Sequence, residues 1–146
     1  MRDLWLSLHP RWADAIMSGR KTVELRRRAP TVDPGATAVL YATMPECAVI
    51  GTAEVRSVES LRLGPLWRQF GSEAAVTQAE FRDYFCGASD GCAIQLGEVR
   101  ALAEPIGLEK IREVGLQPAQ GWRYLSQASV EHLLGVVGAV AQAGRG

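Results

Sequence analysis

Cysteine is scarce in this chain. The three present, Cys47, Cys86 and Cys92, are an odd number that cannot pair off into a disulfide framework. Their spacing also lacks the paired Cys-x-x-Cys arrangement of a structural zinc site, so neither a metal nor any other cofactor is expected. There is no basic leader followed by an apolar stretch and a small-residue cleavage site, which predicts a cytoplasmic protein with reduced thiols. An excess of one charge sign is missing too. Sixteen Lys and Arg stand against sixteen Asp and Glu, which confines any nucleic-acid affinity to a local patch. The most apolar run, residues 130–143, contains Glu131, His132 and Gln142 and falls short of the about 20 residues a bilayer crossing takes. It predicts no membrane partner. A Gly-x-Ser-x-Gly elbow, a phosphate-binding glycine loop and a dinucleotide fingerprint are all absent, removing the esterase, P-loop and Rossmann classes.

What remains is material for one domain over residues 1–146, at 15.8 kDa with nearly half its residues hydrophobic. Leu4, Leu6 and Leu8 alternate with Trp5 and Ser7, predicting a strand over Asp3 to His9, and Pro10 opens a helix that Gly19 stops. Thr22 to Arg28 returns to strand. Residues 36–43 form a nearly unbroken apolar run, predicting a central strand, and residues 48–58 the next. Helices are expected after Gly64-Pro65 and from Thr77, which has capping-box spacing to Glu80. A strand from Cys92 runs towards Ala101 and is ended by Pro105, residues 108–114 turn helical, 122–125 make a short strand, and 129–143 a last helix packed on the domain. Five to six short strands interrupted by helices predict an α+β fold, a small curled sheet or barrel with helices at its ends.

The first 28 residues carry the local patch: Arg2, Arg11, Arg20, Lys21, Arg26, Arg27 and Arg28 against Asp3, Asp14 and Glu24, an excess of four cations. The Gly19 stop places Lys21 at the mouth between helix and strand. Period-two alternation then puts Glu24 and Arg26 on one face, opposite Val23 and Leu25, with Arg28 at the rim. A carboxylate facing an interior persists only when paired, so Glu24 there requires Lys21 or Arg26. The alternative is a solvated strand face with surface ion pairs. Trp5, Trp12, Tyr41, Trp122 and Tyr124 are the aromatics that either fill the core or stack a base. His9 suits the helix start as a cap or fills space there rather than acting as a base, and His132 is a surface or packing residue of the last helix. Gly135 and Gly138 permit close helix packing, either within the chain or in a homodimer.

The stretch Leu6-Ser-Leu-His-Pro-Arg-Trp-Ala-Asp-Ala-Ile-Met-Ser-Gly-Arg-Lys-Thr-Val-Glu-Leu-Arg26 resembles the opening of ASCH domains, a PUA-like family with a Gly-x-Lys-x-x-Glu-x-Arg signature. Weaker segments follow in order, from Val39 to Thr43, Val49 to Val55, Phe81 to Gly87, Ala93 to Leu96 and Pro118 to Leu125, and the whole is similar to a bacterial branch of predicted PUA-like transcriptional regulators. The resemblance implies a small β-barrel with a cleft that binds RNA or a nucleotide, with single-stranded DNA a further candidate. It implies Lys21, Glu24 and Arg26 as the cleft floor, and Ser7, His9, Tyr41, Thr43, Gln120 and Tyr124 around them. Glu24 is suited to accept from the amine of cytosine. One branch of the family hydrolyses N4-acetylcytidine with a Lys and a Thr three residues later; this chain keeps Lys21 but has Glu24 at the Thr position, so an amidohydrolase acting on N4-acylated cytidine, with Lys21 as its catalytic base, is the second reading. A regulatory module that docks a protein partner through the last helix is the third.

Overall fold

A computed structural model describes residues 2–145, with side chains described through residue 136. The elements in chain order are β1 (Arg2–Leu8), α1 (Pro10–Met17), β2 (Val23–Arg26), β3 (Thr37–Ala42), β4 (Ala48–Arg62), α2 (Leu63–Phe70), α3 (Gln78–Tyr84), β5 (Asp90–Gly107), α4 (Leu108–Glu113), β6 (Trp122–Ser126) and α5 (Gln127–Arg145). The strands form one mixed sheet in the order β2-β5-β4-β3-β1-β6. Only β1 and β3 pair in parallel, and that geometry needs a crossover, which α1 and β2 supply.

Three apolar clusters explain the element sequence. Leu4, Leu6 and Leu8 of β1 pack with Leu40, Val55 and Ile94 and with Ile16 of α1 on one side of the sheet. Trp5 points the other way, with Val39 and Tyr41, against Ile111 of α4 and Leu133 of α5. Strand β1 is therefore covered on both faces. Val23 and Leu25 turn to a third cluster with Leu66 and Phe70 of α2, Phe81 of α3 and Phe85, which caps its end. The capping box forms: the Glu80 amide donates to Thr77 Oγ1 at 3.1 Å and the Thr77 amide to Glu80 Oε1 at 2.9 Å, fixing where α3 begins.

The sheet differs from the expected barrel in being open, with β2 and β6 as its edges. The reason is local. Strand β2 is only four residues long, and the following segment contains Pro30 and Pro34, which have no amide hydrogen to donate to a ladder. Two side chains bridge the gap instead: Arg26 Nη2 donates to the Ser7 carbonyl at 2.8 Å and Trp122 Nε1 to the Arg28 carbonyl at 3.0 Å. Arg27 and Arg28 thus leave the strand, and the expected alternation stops at Arg26. Strand β4 continues to Arg62, four residues beyond its expected end. Strand β5 passes through Pro105 rather than ending before it. Val49 pairs with Ile106 and Gly51 with Ala101, so residues 102–105 bulge out of the ladder and Pro105 need not donate. Helix α5 covers the expected terminal helix. The surroundings of Gly138, on which the homodimer expectation depends, lie outside the described side chains.

Candidate functional site

The end of α1 shapes the site. Gly19 has φ +83°, a left-handed conformation that lets the chain reverse, and the Lys21 amide then donates to the Ala15 carbonyl at 3.0 Å. The Lys21 side chain is driven inward and is only 2% exposed. Its Nζ donates to the Ala74 carbonyl at 2.6 Å and lies 3.3 Å from Glu24 Oε1. Arg26 donates to the other carboxylate oxygen, Glu24 Oε2, from Nε at 3.0 Å and Nη2 at 2.7 Å. One buried carboxylate therefore holds two cations, one on each oxygen. The Trp12 ring completes the surroundings of Lys21, with Nζ 4.8 Å from its centroid.

This cluster floors a cavity of about 200 Å³ between α1, β2 and α3. Trp12, Val76, Phe81, Tyr84 and Phe85 form its walls, and His9 and Glu80 stand at its rim. Its volume is below the about 300–1,000 Å³ of pockets for drug-sized ligands, which suits a single ring system. His9 caps α1, its Nδ1 accepting from the Arg11 amide at 3.2 Å. Glu80 accepts from the Thr77 amide and from Arg11, and these hold its carboxyl down at about 2.

Burial lowers the Lys21 pKa, with the Glu24 carboxylate opposing. A buried amine with a lowered pKa binds fewer protons folded than unfolded, so the unfolded state gains protons preferentially as pH falls. The Lys21 contribution to stability is expected to be greatest above the ordinary value of 10.5 and to diminish as pH falls through the lowered folded value. Urea melts of wild type and Lys21→Met between pH 8 and 10.5 check this: wild type should gain stability relative to the variant as pH rises, and a difference that stays constant would contradict it.

Of the residues singled out in the sequence, the structure brings Lys21, Glu24, Arg26 and His9 around the cavity. Others point elsewhere. Ser7 contributes only its carbonyl, since its hydroxyl turns to the opposite face, accepting from Trp5 Nε1 at 2.9 Å and donating to the Ala119 carbonyl at 2.6 Å. Tyr41 is buried there too, its ring 5.2 Å from Trp5, and burial raises its phenol pKa. Both follow from one register, because Ser7 pairs with Tyr41. Thr43 follows β3, with its amide donating to the Leu8 carbonyl. Gln120 is exposed in the loop before β6. Arg28 and Tyr124 lie on the seam between β2 and β6, outside the cavity lining. Phe81, Tyr84 and Phe85 stand at helical spacing in the sequence, one apolar face on the helix expected from Thr77. That face is wide enough both to pack on α2 and to wall the cavity, and it was the available signal. Burial pushes the Cys92 thiol up to about 11, which leaves it a packing residue. Among the described residues no helix is long and apolar enough to cross a membrane.

The family model described as the ASCH domain matches residues 6–112. A curated protein of Zymomonas mobilis subsp. mobilis, named an ASCH domain-containing ribonuclease, is 34% identical over 141 residues, 95% of each chain. The crystal structure of ASCH from Zymomonas mobilis superposes with a TM-score of 0.85 at 34% identity, covering 91% of this chain and 94% of that one. Human THYN1, solved in complex with 5-methylcytosine-containing DNA, superposes with a TM-score of 0.59 at 9% identity over 93% and 97% of the two chains, a likeness of fold alone.

Proposed function

Since this chain belongs to the ASCH domain family, we propose that it binds RNA by taking one unpaired base into the cavity above Lys21, Glu24 and Arg26. The observation that carries the reading is the combination of an aromatic wall with a polar, buried floor at its closed end. A flat ring stacks on Trp12 or Tyr84 whatever its identity, a contact worth roughly 1–3 kcal/mol per base. The Glu24 carboxylate accepts from an exocyclic amine, and the Arg26 guanidinium donates to a ring carbonyl. Arg11 at the mouth is exposed and supplies a phosphate contact.

RNA is preferred to DNA as the ligand because the Zymomonas mobilis relative is named a ribonuclease, and strand cleavage is the activity to assay beside binding. Hydrolysis of an N4-acylated cytidine has less support. Among the described lining residues the cavity has one hydroxyl, that of Tyr84, and burial raises its pKa, making it a poor nucleophile. Thr22 is exposed and does not line the cavity.

Fluorescence anisotropy with short single-stranded RNA and DNA at 0.05 and 0.2 M salt tests the reading. RNA binding should weaken with salt, and Arg26→Gln should weaken it further. Absence of RNA binding at the lower salt would refute it.

A further inference from the structure

The seam between the two sheet edges carries a second arrangement outside the cavity. The Arg28 guanidinium lies over Trp122, Cζ 3.8 Å from the ring centroid, and the Arg2 guanidinium lies over Tyr124 at the same distance. Trp122 and Tyr124 face the same way along β6 and meet edge to face at 5.0 Å. The Tyr124 hydroxyl accepts from the Thr31 amide at 2.9 Å, and Arg2 Nη2 donates to the Thr31 carbonyl at 2.6 Å. Both rings and Arg2 are thereby anchored. The Thr31 amide bond, with help from Arg2 and Arg28, lowers the Tyr124 phenol pKa, the effect of a locally positive field.

Arg2 and Arg28 are both exposed, and among the described residues neither is paired with a carboxylate. A guanidinium stacked on a ring keeps its N–H edge directed outward and has already lost part of the side-chain freedom that binding would otherwise cost. Asp33, in the groove beside Arg2, is the opposing charge and marks where a polyanion would be turned away. Arg26 joins the seam to the cavity, since it bonds Glu24 on one side and the Ser7 carbonyl on the other.

We propose that the Arg28–Trp122 and Arg2–Tyr124 stacks form a phosphate track that carries the backbone of the RNA strand whose base enters the cavity. The proposal rests on that base-in-cavity reading. It assigns the seam the strand's phosphates and the cavity its base, so the two fail separately.

The test compares an eight-nucleotide single-stranded RNA with a nucleoside monophosphate, using wild type, Arg2→Gln/Arg28→Gln, Arg28→Lys and, as a control for overall charge, Arg68→Gln on the exposed side of α2. Circular dichroism establishes that each variant is folded. Loss of two phosphate contacts should reduce the slope of log affinity against log salt by about 1.4, and affinity for the octamer by roughly 25-fold at 0.1 M salt. Monophosphate affinity and Arg68→Gln should be unchanged, and Arg28→Lys should keep the slope while binding more weakly. Unchanged octamer affinity and slope in the double Gln variant would overturn the track and leave the cavity reading standing. An equal loss in Arg68→Gln would reduce the track to general charge and overturn it as well. Wild type that binds no RNA would overturn both.

Discussion

Replacing Glu24 with Gln is expected to lower the unfolding free energy by about 3–5 kcal/mol, the range for breaking a buried ion pair by removing one partner. Total stability of a domain is typically about 5–15 kcal/mol, so this is a large fraction, and for a chain of this size it corresponds to a fall of roughly 6–20 °C in Tm. The cause is Lys21. With Nζ buried and bonded to the Ala74 carbonyl, it loses the carboxylate 3.3 Å away that balances its charge once Glu24 is gone. Arg26 is less affected, being more exposed and also bonded to the Ser7 carbonyl. Combining Lys21→Met with Glu24→Gln should therefore recover most of the loss, because the stranded charge is removed with its partner. Urea melts of the four proteins in the cycle measure the coupling. A Glu24→Gln cost below about 1 kcal/mol would mean that the pair behaves as a hydrated surface bridge, as in the solvated-face alternative.

Trp12→Ala is expected to weaken RNA binding by roughly 5- to 150-fold, the equivalent of about 1–3 kcal/mol of stacking on one base. Trp12→Phe should retain most of the affinity, since it keeps a ring at the wall. The indole is only partly buried and lies on the cavity side of α1, whereas Ala13 and Ile16 of the same helix face the core. Trp5→Phe provides the contrast. Trp5 is fully buried against Tyr41 on the opposite face of β1, so its replacement should cost stability without a selective effect on RNA affinity. Anisotropy titrations alongside thermal melts separate the two. Equal RNA affinities for Trp12→Ala and wild type would remove Trp12 from the binding wall.

The floor of the site was legible in the sequence because it depends on local chemistry. A glycine stop, a lysine two residues on, and a carboxylate and guanidinium two apart on a strand are short-range facts, and the alternation of β2 carries them to one face. The capping box at Thr77 and the parallel run of apolar residues in β3 were legible for the same reason. The walls depend on long-range packing. That α3 and the residue after it would bring Tyr84 and Phe85 to the same cavity as Trp12 follows from the third apolar cluster assembling around Val23 and Leu25, which no local pattern specifies. Tyr41 and Ser7 show the complementary limit. Their strands were expected, but which face each side chain takes depends on the β1–β3 register and on α4 and α5 covering the far side. The open seam likewise depends on how far β2 pairs before the chain leaves the ladder. Proline content hinted at its end without giving the residue.

The central claim is that a base enters the cavity, and the most direct test fills the cavity while leaving every charge in place. Val76 is an apolar, partly buried wall residue, and Val76→Phe would put a ring into the space of about 200 Å³ above the Lys21–Glu24–Arg26 floor. With a folded variant verified by circular dichroism, anisotropy against the same single-stranded RNA should show affinity reduced about tenfold or more, the loss of one stacked base. Binding equal to wild type, with the same salt dependence, would show that the RNA is held by surface charge alone and would contradict the account.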